Sequence, residues 1–169
     1  MLLVVYVLGV GGMRIKKNII QPNLMKQKKS RIQELVKEFP DLFPQNFGIE
    51  CESGWCELVR LVCKYFQMHL EAHQEIESIK FSQIKEKFGF LRIYFDLSFH
   101  DKGNKDNEEF NRIHDFIYTI ENVSGLVCED CGKIKNKNFN VETRVPRSMW
   151  KRTMCDKCFE KDRLAFKKQ

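Results

Sequence analysis

The sequence lacks a hydrophobic run long enough to cross a membrane. The apolar stretch at its start extends from Leu2 to Met13, whereas a membrane-spanning helix needs about 20 apolar residues. It also lacks the charged start and the small-residue cleavage site of a secretory signal, because its charges, beginning at Arg14, follow the apolar stretch. These absences disfavour both a membrane protein and an exported one.

The sequence signatures of common enzyme classes are missing as well. There is no Gly-rich phosphate-binding loop and no G-x-S-x-G nucleophile motif. A metal-dependent hydrolase needs clustered carboxylates, and Glu50, Glu52, Glu86 and Asp96 are available. However, lysines flank Glu86 directly instead of following an acid at the spacing typical of metal nucleases. We therefore expect a protein that is not an enzyme, with a hydrolase as the least favoured alternative.

Cysteine occurs in an odd number, seven, which argues against a fully paired disulfide framework. Four of the seven form two C-x-x-C pairs, Cys128 with Cys131 and Cys155 with Cys158, separated by 23 residues. This spacing is typical of a zinc ribbon, in which each pair makes a tight turn and presents two thiolates to one ion. Gly132 fits such a turn, where the backbone often needs a conformation that glycine adopts readily. Paired thiols of this kind indicate a reducing, cytoplasmic compartment.

The predicted cofactor is one structural Zn²⁺ ion. Four thiolates fill a tetrahedral shell and leave no position for water, so neither catalysis nor a small-molecule substrate is expected at this site. Between the two pairs, "FNVETRV" and "SMWKRTM" predict the two short strands of a hairpin. A module of about 42 residues has little core of its own, and we expect the metal to supply the missing stabilisation.

The remaining cysteines and histidines form no second strong motif. Cys56 and Cys63 lie seven residues apart on a predicted helix and are interpreted as buried thiols, while Cys51 lies in the preceding loop. His69 and His73 are one helical turn apart and could hold a metal between them. Because the sequence indicates no third ligand, a surface histidine pair is the favoured interpretation.

Hydrophobic periodicity predicts an α+β body over residues 28–125. A first helix is predicted to end at Pro40, and a second, longer helix is predicted to be capped by Ser53. The segment between them contains two prolines and Gly48, which predict a loop without regular structure. A third helix is predicted to end at Gly125.

The clearest strand signal is "FLRIYFDLSF", in which alternate residues are apolar. The upstream segment "IKFSQIKEKF" predicts its antiparallel partner, with a bulge near Ser82–Gln83 and a turn at Gly89. The predicted architecture is therefore a helix–helix–β-hairpin–helix body followed by a zinc ribbon at residues 126–169.

Residues 1–27 are predicted to be an apolar and basic extension. Two interpretations remain open. The segment "VVYV" favours a buried strand, but translation beginning at Met13 or Met25 would leave the segment outside the working protein.

Charge is divided unevenly along the chain. Residues 1–33 contain seven basic and no acidic residues, residues 34–127 contain ten and seventeen, and residues 128–169 contain twelve and six. The basic end predicts a ribbon that engages nucleic acid largely through phosphates, with Phe139 or Trp150 stacking on a base. The residues predicted to bind are Lys133, Lys135, Lys137, Arg144, Arg147, Trp150, Lys151 and Arg152. The alternative is an interaction or inhibitor protein that uses the acidic body to bind a protein partner.

Four segments together resemble a family of small bacterial and phage proteins: "FPDLFPQNFGIECESGW", "KEKFGFLRIYFD", "CEDCG" and "WKRTMCDKCF". Members of that family have a Phe- and Pro-rich start, a Gly-Trp that opens a helix, a K-E-K-F-G-x-L-R-x-Y hairpin and paired cysteines at the end. The resemblance covers about residues 31–159. It implies this organisation and a bacterial or phage source rather than an activity. It also favours a start at or near Met25.

Overall fold

The computed structural model describes residue 31 and residues 33–100, 107–146 and 150–166. The two interpretations of residues 1–27 therefore fall outside the described residues. The chain has an α+β fold, as the sequence predicts. No helix among the described residues is both long enough and apolar enough to span a bilayer.

In the described part of the body there are three helices: α1 at residues 33–38, α2 at Cys56–Ala72 and α3 at Asn107–Ser124. Each has one apolar face, which it turns toward the strands, as the helical spacing of apolar residues dictates. The stripe predicted on α2 is buried from Trp55 to Phe66, and it includes the thiol of Cys63. The thiol of Cys56 is buried too, so both cysteines are the buried thiols that the sequence predicts.

The sheet consists of β1 at Ile49–Glu50, β2 at Ile76–Lys87 and β3 at Phe90–Phe99. β2 and β3 form the predicted antiparallel hairpin, with its turn at Phe88–Gly89. The register shifts between Phe81 and Gln83, which confirms the predicted bulge. The extra residue lets Phe81 and Ile84, on either side of the shift, both be buried in the core.

The segment between α1 and α2 is more regular than the sequence predicts. A 3₁₀ turn spans Pro40–Leu42, and β1 pairs in parallel with β2, Ile49 lying opposite Ile84. The prediction that Ser53 caps α2 is wrong. Ser53–Trp55 form a 3₁₀ turn instead, and in the described chain no side chain caps the start of α2. The backbone of this turn is bound elsewhere, to the segment that holds the first cysteine pair.

The predicted hairpin of the C-terminal module is present. β4 at Val141–Arg144 pairs antiparallel with β5 at Arg152–Cys155. The sequence did not predict α4, Asp156–Phe166, which begins directly after β5. The second cysteine pair therefore lies at a strand-to-helix junction, whereas the zinc-ribbon prediction placed it in a tight turn like the first.

Candidate metal centre

The first cysteine pair lies in a tight turn just after α3. The turn is closed by a bridge between Val127 and Ile134, and the Cys128 N–H donates to the Lys133 carbonyl at 2.9 Å. Within it, the Gly132 N–H donates to the Cys128 carbonyl at 2.8 Å. Gly132 has φ +73°, a left-handed conformation that side chains with a Cβ adopt at a cost. The prediction for Gly132 is confirmed.

The second pair is positioned by the junction of β5 and α4. Cys155 ends the strand, and Cys158 lies in the first turn of the helix, so one helical turn separates the two thiols. The Cys158 N–H donates to the Sγ of Cys155 at 3.4 Å. The N–H groups of the first helical turn have no carbonyl partner within the helix, so they favour a negative charge beside them, such as a thiolate.

The four sulfur atoms are arranged as metal ligands. The ligand atoms of Cys128, Cys131, Cys155 and Cys158 all lie within 4.8 Å of one another. The Sγ atoms of Cys131 and Cys155 are 3.8 Å apart, far more than the S–S bond of about 2.05 Å in a disulfide. A tetrahedron with metal–sulfur bonds of about 2.3 Å has an edge of about 3.8 Å. The four thiols therefore fit a single tetrahedral metal ion.

The pKa values of Cys128, Cys155 and Cys158 reflect their burial and their closeness to one another. Burial raises the pKa of Cys128 to about 11. Burial, followed by the charge on Cys128, also raises the pKa of Cys158 well above its ordinary value. Burial acts in the same direction on Cys155, but hydrogen bonds from the Cys158 N–H and neighbouring thiols outweigh it, and the pKa of Cys155 is lowered. A divalent ion at this place would offset the repulsion between four thiolates and favour their ionisation.

The segment that follows α3 and contains both cysteine pairs is called the cysteine module here. It contacts the body through the turn before α2. The Gly54 N–H donates to the Glu129 carbonyl at 2.7 Å, and the Trp55 indole N–H donates to the Val127 carbonyl at 2.9 Å. A Cβ on Gly54 would clash with the carbonyl groups of Cys128 and Glu129. The Ser-Gly-Trp segment and the first C-x-x-C segment are thus in direct backbone contact.

A second junction joins the module to the tip of the β2–β3 hairpin. The hydroxyl of Thr153 on β5 donates to the Gly89 carbonyl and also lies 3.0 Å from the Thr143 hydroxyl. A Cβ on Gly89 would lie 2.6 Å from Cγ2 of Thr143. The hairpin tip therefore contacts the strands of the cysteine module, and glycine is favoured at Gly89 by both its positive φ and its small size.

Arg152, predicted to contact nucleic acid, is engaged within the protein. Its guanidinium forms ion pairs with Glu129 and Asp130 and lies 3.7 Å from Glu52 of the body. The Glu129 side chain is only 2% exposed, and burial, partly opposed by Arg152, raises its pKa to about 7. Arg152 therefore links the first cysteine turn to β5 and to the start of the body.

The other predicted nucleic-acid residues divide into two groups. Arg144 is ion-paired with Asp156, and its guanidinium lies 5.0 Å from the Phe159 ring centre. Trp150 and the four predicted lysines are exposed: Lys133, Lys135, Lys137 and Lys151. Phe139, the other predicted stacking residue, is partly buried, with the Lys133 ammonium 4.7 Å from its ring centre. Arg147 lies outside the described residues.

The structure brings together one further set of ligand atoms. His69 in the last turn of α2 and His73, which follows the helix, meet Glu109, a residue of the first turn of α3, with one ligand atom from each within 4.8 Å of the others. Sequence reasoning identified the histidine pair but missed the carboxylate. The sequence offered one signal, the two glutamates in "NEEF" at the start of a helix. No spacing in the sequence connects these glutamates to the end of α2.

The chain was compared with protein-family models, curated proteins and solved structures, and none of the three comparisons found a match.

Proposed function

We propose that the chain is a zinc protein whose cysteine module binds nucleic acid, mainly through phosphate groups. Zn²⁺ is the proposed metal because tetrahedral sets of four thiolates select zinc or iron–sulfur centres. A sulfur separation of 3.8 Å fits zinc–sulfur bonds of about 2.3 Å. Four thiolates complete the shell of the ion, so its proposed role is to hold the module together rather than to catalyse.

The observation that carries the nucleic-acid proposal is the exposure of apolar side chains around the module. Among the described residues the three most exposed large hydrophobic side chains are Trp150 at 73%, Phe88 at 67% and Ile134 at 63%. Two belong to the module and the third to the hairpin tip that contacts it. Exposed aromatic rings beside cations suit stacking on unpaired bases, which tolerates any base because each has a π-face.

The cations of this surface are lysines. Lys133, Lys135 and Lys137 are exposed between the first cysteine pair and β4, and Lys151 follows Trp150. Among the described residues none of these four forms an ion pair with a carboxylate of the chain. Their charge is therefore available to phosphates, in contrast to that of Arg144 and Arg152.

Phe88 extends the proposed surface onto the body. It precedes Gly89, whose carbonyl accepts the Thr153 hydroxyl, so Phe88 lies beside the strand that follows Trp150. Phe88 has φ 55°, a strained conformation for a bulky side chain. The strain is not offset by burial of the ring, because the ring is exposed. Strain of this kind is commonly retained where a side chain must be presented to a ligand.

The test is a fluorescence anisotropy titration of the metal-loaded protein against labelled single- and double-stranded DNA and RNA at several salt concentrations. We expect log Kobs to fall linearly with log salt, by about 0.7 per phosphate contact on single strands and about 0.9 on duplex. Lys135→Ala combined with Lys137→Ala should make this slope shallower by about 1–2. Trp150→Ala should instead weaken binding by about 1–3 kcal/mol at constant slope.

Lys64→Ala is the matched control, because Lys64 is exposed on α2 outside the module. It should leave both affinity and slope unchanged. Failure to bind any of the four nucleic acids at micromolar protein would overturn the proposal and favour a protein partner. If Lys64→Ala makes the salt slope shallower by half as much as the double variant does, the effect depends only on net charge and the proposed surface is wrong.

A further inference from the structure

A second cluster of ligand atoms lies in the body, where the end of α2 meets the start of α3. His69 belongs to the last turn of α2, His73 is the residue that ends the helix, and Glu109 belongs to the first turn of α3. Glu109 and His69 are buried, whereas the His73 side chain is 30% exposed. A cation is favoured at a helix C-terminus by the partial negative charge of the terminal carbonyls.

One of the two separations from Glu109 has the value expected for ligands of a shared ion. Nε2 of His73 lies 3.5 Å from Oε1 of Glu109, whereas Nδ1 of His69 is in ion-pair contact with the same oxygen, so His69 and Glu109 would move apart to hold an ion between them. Ligands at about 2.0–2.1 Å from a tetrahedral zinc ion are separated by about 3.4 Å. The two imidazole rings are nearly parallel, with their planes 8° apart and their centres 5.4 Å apart, and each has a nitrogen close to Glu109.

The buried Nδ1 of His69 gives an independent indication of a ligand. Although it faces Oε1 of Glu109, it forms no hydrogen bond of acceptable geometry with that oxygen or with any other described residue. A buried polar atom without a hydrogen bond destabilises a fold. A metal ion held by this nitrogen would offset that cost.

The surroundings of the cluster orient its ligands. Nδ1 of His73 lies 3.0 Å from Oε1 of Glu75, which leaves Nε2 to face Glu109. A carboxylate on the second nitrogen of a metal-binding histidine is the usual outer contact at such sites. On the other side, the Tyr65 ring packs against His69 at 4.3 Å between ring centres, and Arg112 lies 3.7 Å from Oε2 of Glu109.

We propose that His69, His73 and Glu109 form a second metal site, which takes one divalent transition-metal ion, Zn²⁺ by its donor set. Two imidazoles and one carboxylate match the ligands of zinc sites that keep an open position. This site thus differs in kind from the closed four-thiolate centre, since it leaves room for a water molecule or an exchangeable ligand on the side of the partly exposed His73. It is also independent of the proposed nucleic-acid surface.

The test measures zinc uptake by the full chain with its four-cysteine site already loaded. Isothermal titration calorimetry with Zn²⁺ should show one further equivalent per chain. His73→Ala and Glu109→Gln should each remove that equivalent, and Glu75→Gln should weaken it by about 10–100-fold. His114→Ala and Glu108→Gln are the matched controls, because both residues are exposed on α3, and uptake should be unchanged.

A second readout identifies the ligands directly. The chain has four histidines, so their imidazole nitrogens can be resolved by NMR, and Zn²⁺ should shift the signals of His69 and His73 but not those of His100 and His114. If Glu109→Gln fails to fold, the partly exposed His73 still provides a variant that tests the site. Absence of a further equivalent in the wild type, or its persistence in the His73 variant, would overturn the proposal.

Discussion

Gly54 and Gly132 meet at the junction between the body and the cysteine module. A Cβ placed on Gly132 would lie 3.0 Å from the Gly54 carbonyl oxygen, and one on Gly54 would clash with the Cys128 and Glu129 carbonyl groups. The two glycines let two backbones approach more closely than side chains would permit. The candidate metal site is therefore positioned by backbone contacts that depend on residues with no ligand role.

Gly54→Ala is expected to destabilise the protein by about 1–3 kcal/mol, because the added methyl group meets backbone atoms that cannot rotate away. Gly48→Ala is the matched control, since a Cβ there meets nothing within 4 Å. Urea unfolding of both variants measures the difference. Equal stability of the Gly54 and Gly48 variants would show that the close approach can relax at little cost.

Metal removal is expected to open this junction. The Trp55 indole donates to the Val127 carbonyl next to the first cysteine pair, so its emission should shift to longer wavelength when a chelator removes the metal under reducing conditions. Trp150→Phe leaves Trp55 as the one tryptophan of the two in the chain. Cys128→Ser should reproduce the shift without chelator, whereas Cys63→Ala, which changes a buried thiol of the body, should not. Unchanged emission on metal loss would contradict a metal-dependent junction.

Arg152→Ala is expected to cost about 2–4 kcal/mol of stability, because it leaves the buried Glu129 carboxylate without its cation. Arg163→Ala is the control: this residue is 49% exposed and pairs with Glu160 within one helical turn, a contact worth about 0.5 kcal/mol or less. Denaturant unfolding of the metal-loaded variants measures both values. If Arg152→Ala leaves the free energy of unfolding unchanged but weakens nucleic-acid binding, Arg152 belongs to the binding surface predicted from sequence.

The parts of the site that the sequence predicts are those encoded by local spacing. The two C-x-x-C pairs, the need for glycine at Gly132 and the strand alternation from Leu91 to Phe99 all depend on neighbours within a few residues. The hairpin bulge belongs to the same class, since a change in the parity of apolar residues reveals it.

Contacts between distant segments could not be predicted in this way. The donation from Gly54 to the Glu129 carbonyl joins segments far apart in the chain, and a Gly-Trp pair alone does not indicate a partner. β1 contains only two residues, which are too few to show a periodic pattern of apolar side chains. Glu109 joins His69 and His73 only because α3 packs beside α2, so no spacing in the sequence connects the three.

Phe88→Asn is expected to stabilise the protein by about 1 kcal/mol. Phe88 and Gly89 both have positive φ in a two-residue hairpin turn, the geometry in which Asn-Gly is the preferred pair. A bulky side chain in the left-handed region costs roughly 1–2 kcal/mol, whereas asparagine adopts it more readily. The substitution loses little burial, because the Phe88 ring is 67% exposed. Thermal and urea unfolding measure the change.

The same variant tests why the strain is retained. If Phe88 stacks on a nucleic-acid base, Phe88→Asn should weaken binding to single strands by about 1–3 kcal/mol while it stabilises the fold. Tyr118→Asn is a control for the loss of an exposed aromatic ring, since Tyr118 is 60% exposed on α3 and outside the proposed surface. A stabilised Phe88 variant with unchanged affinity would mean that the ring does not take part in binding. Opposite signs for stability and binding at Phe88, with no loss of binding at Tyr118, would identify the hairpin tip as part of the functional surface.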